Sequence, residues 1–140
     1  MVRYDKLKKV LLISSIIIFS ISLTQKCYCT TANCSDSIMV FLLGWFAVLS
    51  TGAGITWLAN PLLILSWLLF RKKIKASMFL SLAATVLAVS FLLFDSITGN
   101  ESGQSQQIIS YKPGYWLWIT SSLIMFVGSG LLLLKNKVTH

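Results

Sequence analysis

Apolar and polar positions in this chain are grouped into whole segments. Four charge-free apolar runs, Val10–Thr24, Ser37–Phe70, Ala76–Phe94 and Gly114–Leu134, are separated by short polar or basic stretches. A hydrocarbon core about 30 Å thick is crossed by roughly 20 helical residues. The third and fourth runs have that length. The first is shorter but continues into its flanks. The second is too long for one crossing: as a straight helix, Ser37 to Phe70 would extend about 51 Å. It is also too short for two crossings and a turn. Its weakest helical stretch is Ser50-Thr51-Gly52-Ala53-Gly54, where Ser, Thr and Gly lower helix propensity. The pattern therefore predicts one crossing preceded by an interfacial or re-entrant piece.

These runs predict an all-α integral membrane protein, a compact bundle of four transmembrane helices forming a single domain over residues 1–140. The expected crossings are about 9–25, 53–70, 76–95 and 114–134. A cysteine-bearing loop (26–36) and the extra segment (37–50) lie between the first two. A basic loop (71–75), a polar loop (96–113) and a tail (135–140) complete the chain. The stretch from Asp95 to Pro113 has no apolar periodicity and reads as an exposed loop. The first run also fits a signal peptide, but Gln25 and Lys26 stand where a cleavage site needs small residues, which favours an uncleaved anchor.

Composition agrees with this class. The chain is 56% hydrophobic and 11% charged, against about 25% charged in soluble domains. The net charge of +8 would suit a nucleic-acid partner, but its placement points elsewhere. Arg3, Lys6, Lys8 and Lys9 precede the first run; Arg71, Lys72, Lys73 and Lys75 join the second to the third; Lys135 and Lys137 follow the fourth. Basic residues at alternate connections are the positive-inside pattern. The expected location is a plasma membrane, with the bacterial inner membrane preferred, both termini cytoplasmic, and no nucleic-acid partner. The bilayer is the first partner, joined by another membrane protein or by self-association.

Small residues suggest how the helices meet. Ser77, Ser81, Ala84 and Ala88 recur every three or four positions on the third crossing; such stripes let backbones approach. A pore lining of Ser and Thr is the alternative reading. Trp45, Tyr115, Trp116 and Trp118 fall where an outer interfacial belt is expected, since amphipathic rings prefer headgroup depth.

Candidate chemistry is sparse. No ionisable residue lies deep in any crossing, whereas proton relays and ion-coupled carriers normally need one. There is no carboxylate pair, and the single histidine is terminal, at His140. The chain reads as a non-enzyme without a cofactor or bound metal. Asn60-Pro61 is the one polar break inside a crossing. Proline frees a carbonyl one turn earlier, near Trp57, which Asn60 can satisfy; a ligand or gating site is the functional alternative. Cys27, Cys29 and Cys34 share one loop. Pairing of Cys34 with Cys29 or with Cys27 is open, whereas Cys27–Cys29 is too close for easy geometry. The best-supported class is an accessory, regulatory or protective protein that binds another membrane component. A small channel subunit using the Asn60-Pro61 kink and an outer-face thiol or metal handler are the alternatives.

Overall fold

The computed structural model describes residues 2–49, 52–98 and 105–138. It is mostly helical, with a small antiparallel sheet at one end. The helices are α1 (Val2–Leu23), α2 (Ser37–Leu43), α3 (Gly52–Ile55), α4 (Ala59–Phe70), α5 (Ile74–Ser90) and α6 (Pro113–Val138). A 3-10 helix, Gly44–Leu49, continues α2, and a 3-10 turn, Thr56–Leu58, joins α3 to α4. The stretches Gly52–Phe70, Ile74–Leu93 and Pro113–Val138 are long and apolar enough to cross a membrane. Helix α1 has 22 residues, but its charge-free part begins only at Val10.

The packing order is α4 on α5, α5 on α6 and α6 on α1. Serine hydroxyls join the helices at two levels. On α1 and α6, Ser15 Oγ lies 3.0 Å from the Ser121 carbonyl oxygen and 2.9 Å from Ser121 Oγ, and Ser121 Oγ donates to the Ser15 carbonyl at 2.8 Å. On α4 and α5, Ser66 and Ser77 make the same reciprocal arrangement at 2.9–3.0 Å. All four serines are fully buried. A hydroxyl in an apolar interior must find a partner, and a neighbouring backbone carbonyl serves once small side chains admit close approach. Between α4 and α1, Trp67 bridges by donating from Nε1 to Ser15 Oγ at 2.9 Å.

Both stretches expected as loops contain strands. The cysteine loop forms β1 (Lys26–Thr30) and β2 (Cys34–Asp36), and the polar loop forms β3 (Ser96–Thr98) and β4 (Ser105–Tyr111). They make one sheet in the order β2-β1-β4-β3, with Tyr28 opposite Tyr111 and Ser96 opposite Gln107. The strands escape a periodicity reading because β4 carries Ser and Gln at positions where alternation would show apolar residues. The pairing across the molecule supplies what local sequence lacks: partners for exposed backbone N–H and C=O groups. Residues 99–104 of the expected polar loop lie outside the described residues.

The extra segment before the second crossing is α2 with its 3-10 continuation. It folds back against α3 and the following turn. Gly44 abuts the Trp57 ring, and a Cβ on Gly54 would strike the Ala47 backbone. Trp57 Nε1 donates to the Phe41 carbonyl at 2.9 Å, closing the pair. The expected break at Ser50–Gly54 falls between these limbs, with Ser50 and Thr51 outside the described residues. Ile38, Met39, Leu42, Leu43 and Trp45 on the first limb are exposed, an arrangement suited to lipid contact.

Candidate functional site

A cavity of about 430 Å³ lies beneath the sheet. One wall is α1 with Phe19 and Ser22, and another is α6 with Tyr115 and Trp118. The folded-back segment closes a side through Phe41, Gly44 and Ala47, and Thr56, Trp57 and Asn60 complete it. Cys27 and Tyr28 of β1 roof it. Its size falls in the range of about 300–1,000 Å³ usual for small-molecule sites.

The walls are braced by ring contacts and by one buried hydroxyl. Phe19 meets Phe41 and Trp67 edge-on, with centroids 5.7 and 5.3 Å apart. Tyr115 contacts Phe91, Tyr111 and Trp118, and its hydroxyl donates to the Ala88 carbonyl at 2.7 Å. Tyr115 and Trp118 therefore turn inward, where an outward belt was expected, and Trp116 and Trp45 remain half-exposed. Residues 115, 118 and 119 share one face of α6 at helical spacing, and that face meets the interior.

Asn60 occupies an unusual position. It is 6% exposed and lines the cavity. The carbonyl of Trp57, which Pro61 leaves without its helical donor, shares the backbone N–H of Ala59 with the Thr56 carbonyl at the end of the 3-10 turn. The kink is thus satisfied within the backbone. The Asn60 side chain makes no hydrogen bond among the described residues. Trp118 Nε1, also on the cavity, is buried without a partner. The Ser37 hydroxyl has no oxygen or nitrogen partner and sits beside the Cys27 thiol. Buried polar groups are nearly always paired, and each unpaired one costs about 1–3 kcal/mol. Trp118 Nε1 and Ser37 Oγ are such buried atoms, and with the Asn60 amide on the same lining they make the cavity a polar-equipped site within an apolar frame.

The cysteines divide by role. Cys29 and Cys34 face each other across β1 and β2 and form a disulfide. The turn they close is held by Thr30, whose N–H donates to the Asn33 carbonyl at 2.8 Å and whose Oγ1 donates to Gln106 on β4 at 3.0 Å. A Lys26–Asp36 ion pair crosses the same two strands. Cys27 is free and buried, and burial pushes its thiol up to about 12, opposed by the Ser37 hydroxyl. Such a thiol stays protonated and is a poor nucleophile. Among the described residues, no group of three His, Cys, Asp or Glu side chains is placed to hold a metal ion.

The remaining sequence candidates sit apart from the cavity. Ser77, Ser81, Ala84 and Ala88 are fully buried along α5. Ser77 bonds Ser66, and Ser81 Oγ donates to the Ser77 carbonyl at 2.8 Å. Arg71, Lys72, Lys73 and Lys75 line a cleft at the end opposite the sheet, with Tyr4 and Lys8 of α1 and Asn136 of α6. Sequence reading singled out Asn60 but missed Trp118 Nε1, Ser37 and Cys27 as its neighbours, because they come from elements distant in the chain. No protein-family model, curated protein or solved structure matches this chain.

Proposed function

We propose that this protein is a non-enzymatic accessory protein of four crossings that binds a second membrane component in the cavity beneath its outer sheet. The observation that carries the reading is Asn60: a residue only 6% exposed whose amide makes no hydrogen bond and lines a cavity. A fold does not leave several polar groups unpaired around one space without a cost, and a bound partner removes it. The fourth crossing is α1, whose 22 residues give about 33 Å of helix. Its contacts with α6 and its basic start, at the same end as Arg71–Lys75 and Lys135, support both termini on the inner face.

The channel reading has less support. Buried Ser15, Ser66, Ser77, Ser81 and Ser121 make hydrogen bonds between helices or within their own turn, which favours helix contacts over a polar conduit. The thiol reading is weakened by the Cys29–Cys34 bond and by the buried, protonated Cys27.

The test is purification of the tagged full chain in mild detergent, with mass spectrometry of whatever protein or lipid accompanies it. Asn60→Leu and Trp118→Phe should lower recovery of that component several-fold, whereas the exposed-site variant Leu131→Ala should not. Purification of the bare chain, or equal recovery with all three variants, refutes the proposal.

A further inference from the structure

The chemistry of the cavity narrows what it can hold, granted the reading above that it is a binding site. Among the described residues, its lining includes one carboxylate, Asp36, and no Lys, Arg or His. That carboxylate is paired with Lys26. An anionic headgroup buried here would find no counter-charge, and an unpaired buried charge is strongly disfavoured. The unpaired groups have the opposite preference. Trp118 Nε1 can only donate, and the Asn60 amide offers two donors and an acceptor. Together they ask for a neutral head rich in acceptor oxygens. The frame around them is aromatic and aliphatic, so the rest of the ligand is hydrocarbon. The limb forming one wall carries exposed Ile38 and Leu42 outside the lining, consistent with a chain lying in the bilayer beside it.

We propose that the cavity binds an uncharged lipid: one or more hydrocarbon chains attached to a neutral head that presents carbonyl oxygens to Trp118 Nε1 and the Asn60 amide. Two membrane sources share that chemistry, the ester carbonyls of a neutral glyceride and the ring carbonyls of a prenylated quinone. A phosphate-bearing phospholipid does not share it.

The experiment uses the full chain in detergent, delipidated and monodisperse, with binding followed by native mass spectrometry and thermal shift. The probes are dioleoylglycerol, a short-chain prenyl quinone and dioleoylphosphatidylglycerol. Saturable binding of either neutral probe, at least tenfold tighter than the anionic one, is expected, and the better of the two identifies the source. Asn60→Leu and Trp118→Phe should each weaken that binding about tenfold, the order expected for one lost hydrogen bond to a buried site. Without added lipid, both variants should be as stable as the parent or more so, because each removes an unpaired polar group. That outcome separates a ligand contact from a structural role, which would lower stability. Phosphatidylglycerol binding as well as or better than both neutral probes overturns the inference, as does neutral-lipid binding unaffected by both variants. If no probe binds while recovery of a copurifying component still depends on Asn60 and Trp118, the lipid assignment fails and the accessory-protein reading stands.

Discussion

Ser15 and Ser121 look equivalent in sequence, but the structure predicts that they are not. Both are fully buried between α1 and α6. Ser15 Oγ also accepts from Trp67 Nε1 at 2.9 Å, the bridge from α1 to α4. In Ser121→Ala, the Ser15 hydroxyl still donates to the Ser121 backbone carbonyl and still accepts from Trp67. One hydroxyl-to-backbone bond is lost, about 0.6 kcal/mol by the average for membrane proteins. In Ser15→Ala, Ser121 Oγ keeps its bond to the Ser15 carbonyl, but the part-buried Trp67 Nε1 donor loses its partner. That adds about 1–3 kcal/mol, for a total of about 1.6–3.6 kcal/mol. The mechanism is tested by a double-mutant cycle with Trp67→Phe, which removes the donor. In that background Ser15→Ala should cost at least about 1 kcal/mol less than in the parent. The assay is equilibrium unfolding in mixed micelles with increasing dodecyl sulfate, followed by far-ultraviolet circular dichroism. Equal costs for Ser15→Ala in both backgrounds, or a larger cost for Ser121→Ala, would refute the reasoning.

Further outcomes follow from burial and close approach. A membrane-impermeant maleimide applied to intact cells should label nothing until the disulfide is reduced, then Cys29 and Cys34, with Cys27 reacting only after unfolding; labelling confined to lysed cells would reverse the proposed orientation. The Cys27 thiol lies at an ordinary 9.0 when unfolded and about 12 when folded, so its contribution to stability is complete below pH 9 and is lost as pH rises from 9 toward 12; Cys27→Ala should flatten that decline in a pH series of unfolding midpoints. Gly54→Ala should cost about 1–3 kcal/mol, since the added Cβ meets the Ala47 backbone, which cannot step aside as a flexible side chain would. Gly130→Ala meets only Met78 Sδ at 3.9 Å and should stabilise by up to about 1 kcal/mol through helix propensity; thermal denaturation in detergent would separate the two.

Much of the architecture was legible locally. Run length and the placement of charge depend on neighbouring residues alone, so the helices at 74–93 and 113–138 and the basic turn at 71–75 could be read directly. The excess length of Ser37–Phe70 likewise implied a break, because no single crossing accommodates it. Cys29 and Cys34 were candidates for a bond, but their pairing over Cys27–Cys34 depended on strand register, which places them opposite each other while Cys27 faces the interior.

What the sequence by itself determined is therefore the membrane class, the helical segments and the scarcity of catalytic groups, all properties that sum over contiguous residues. The tertiary structure decided the rest. The sheet exists because Tyr28 and Tyr111, far apart in the chain, lie on paired strands whose backbone hydrogen bonds neither loop could satisfy alone. Tyr115 and Trp118 became cavity walls because of the face α6 turns inward. Asn60 reads in sequence as the natural partner for a carbonyl freed by Pro61. Only the fold shows that the Ala59 N–H reaches that carbonyl as well as Thr56's, while the Asn60 amide and Trp118 line one cavity. Hydrogen-bond satisfaction is a property of the whole molecule, and a residue's freedom to bind something else is decided there.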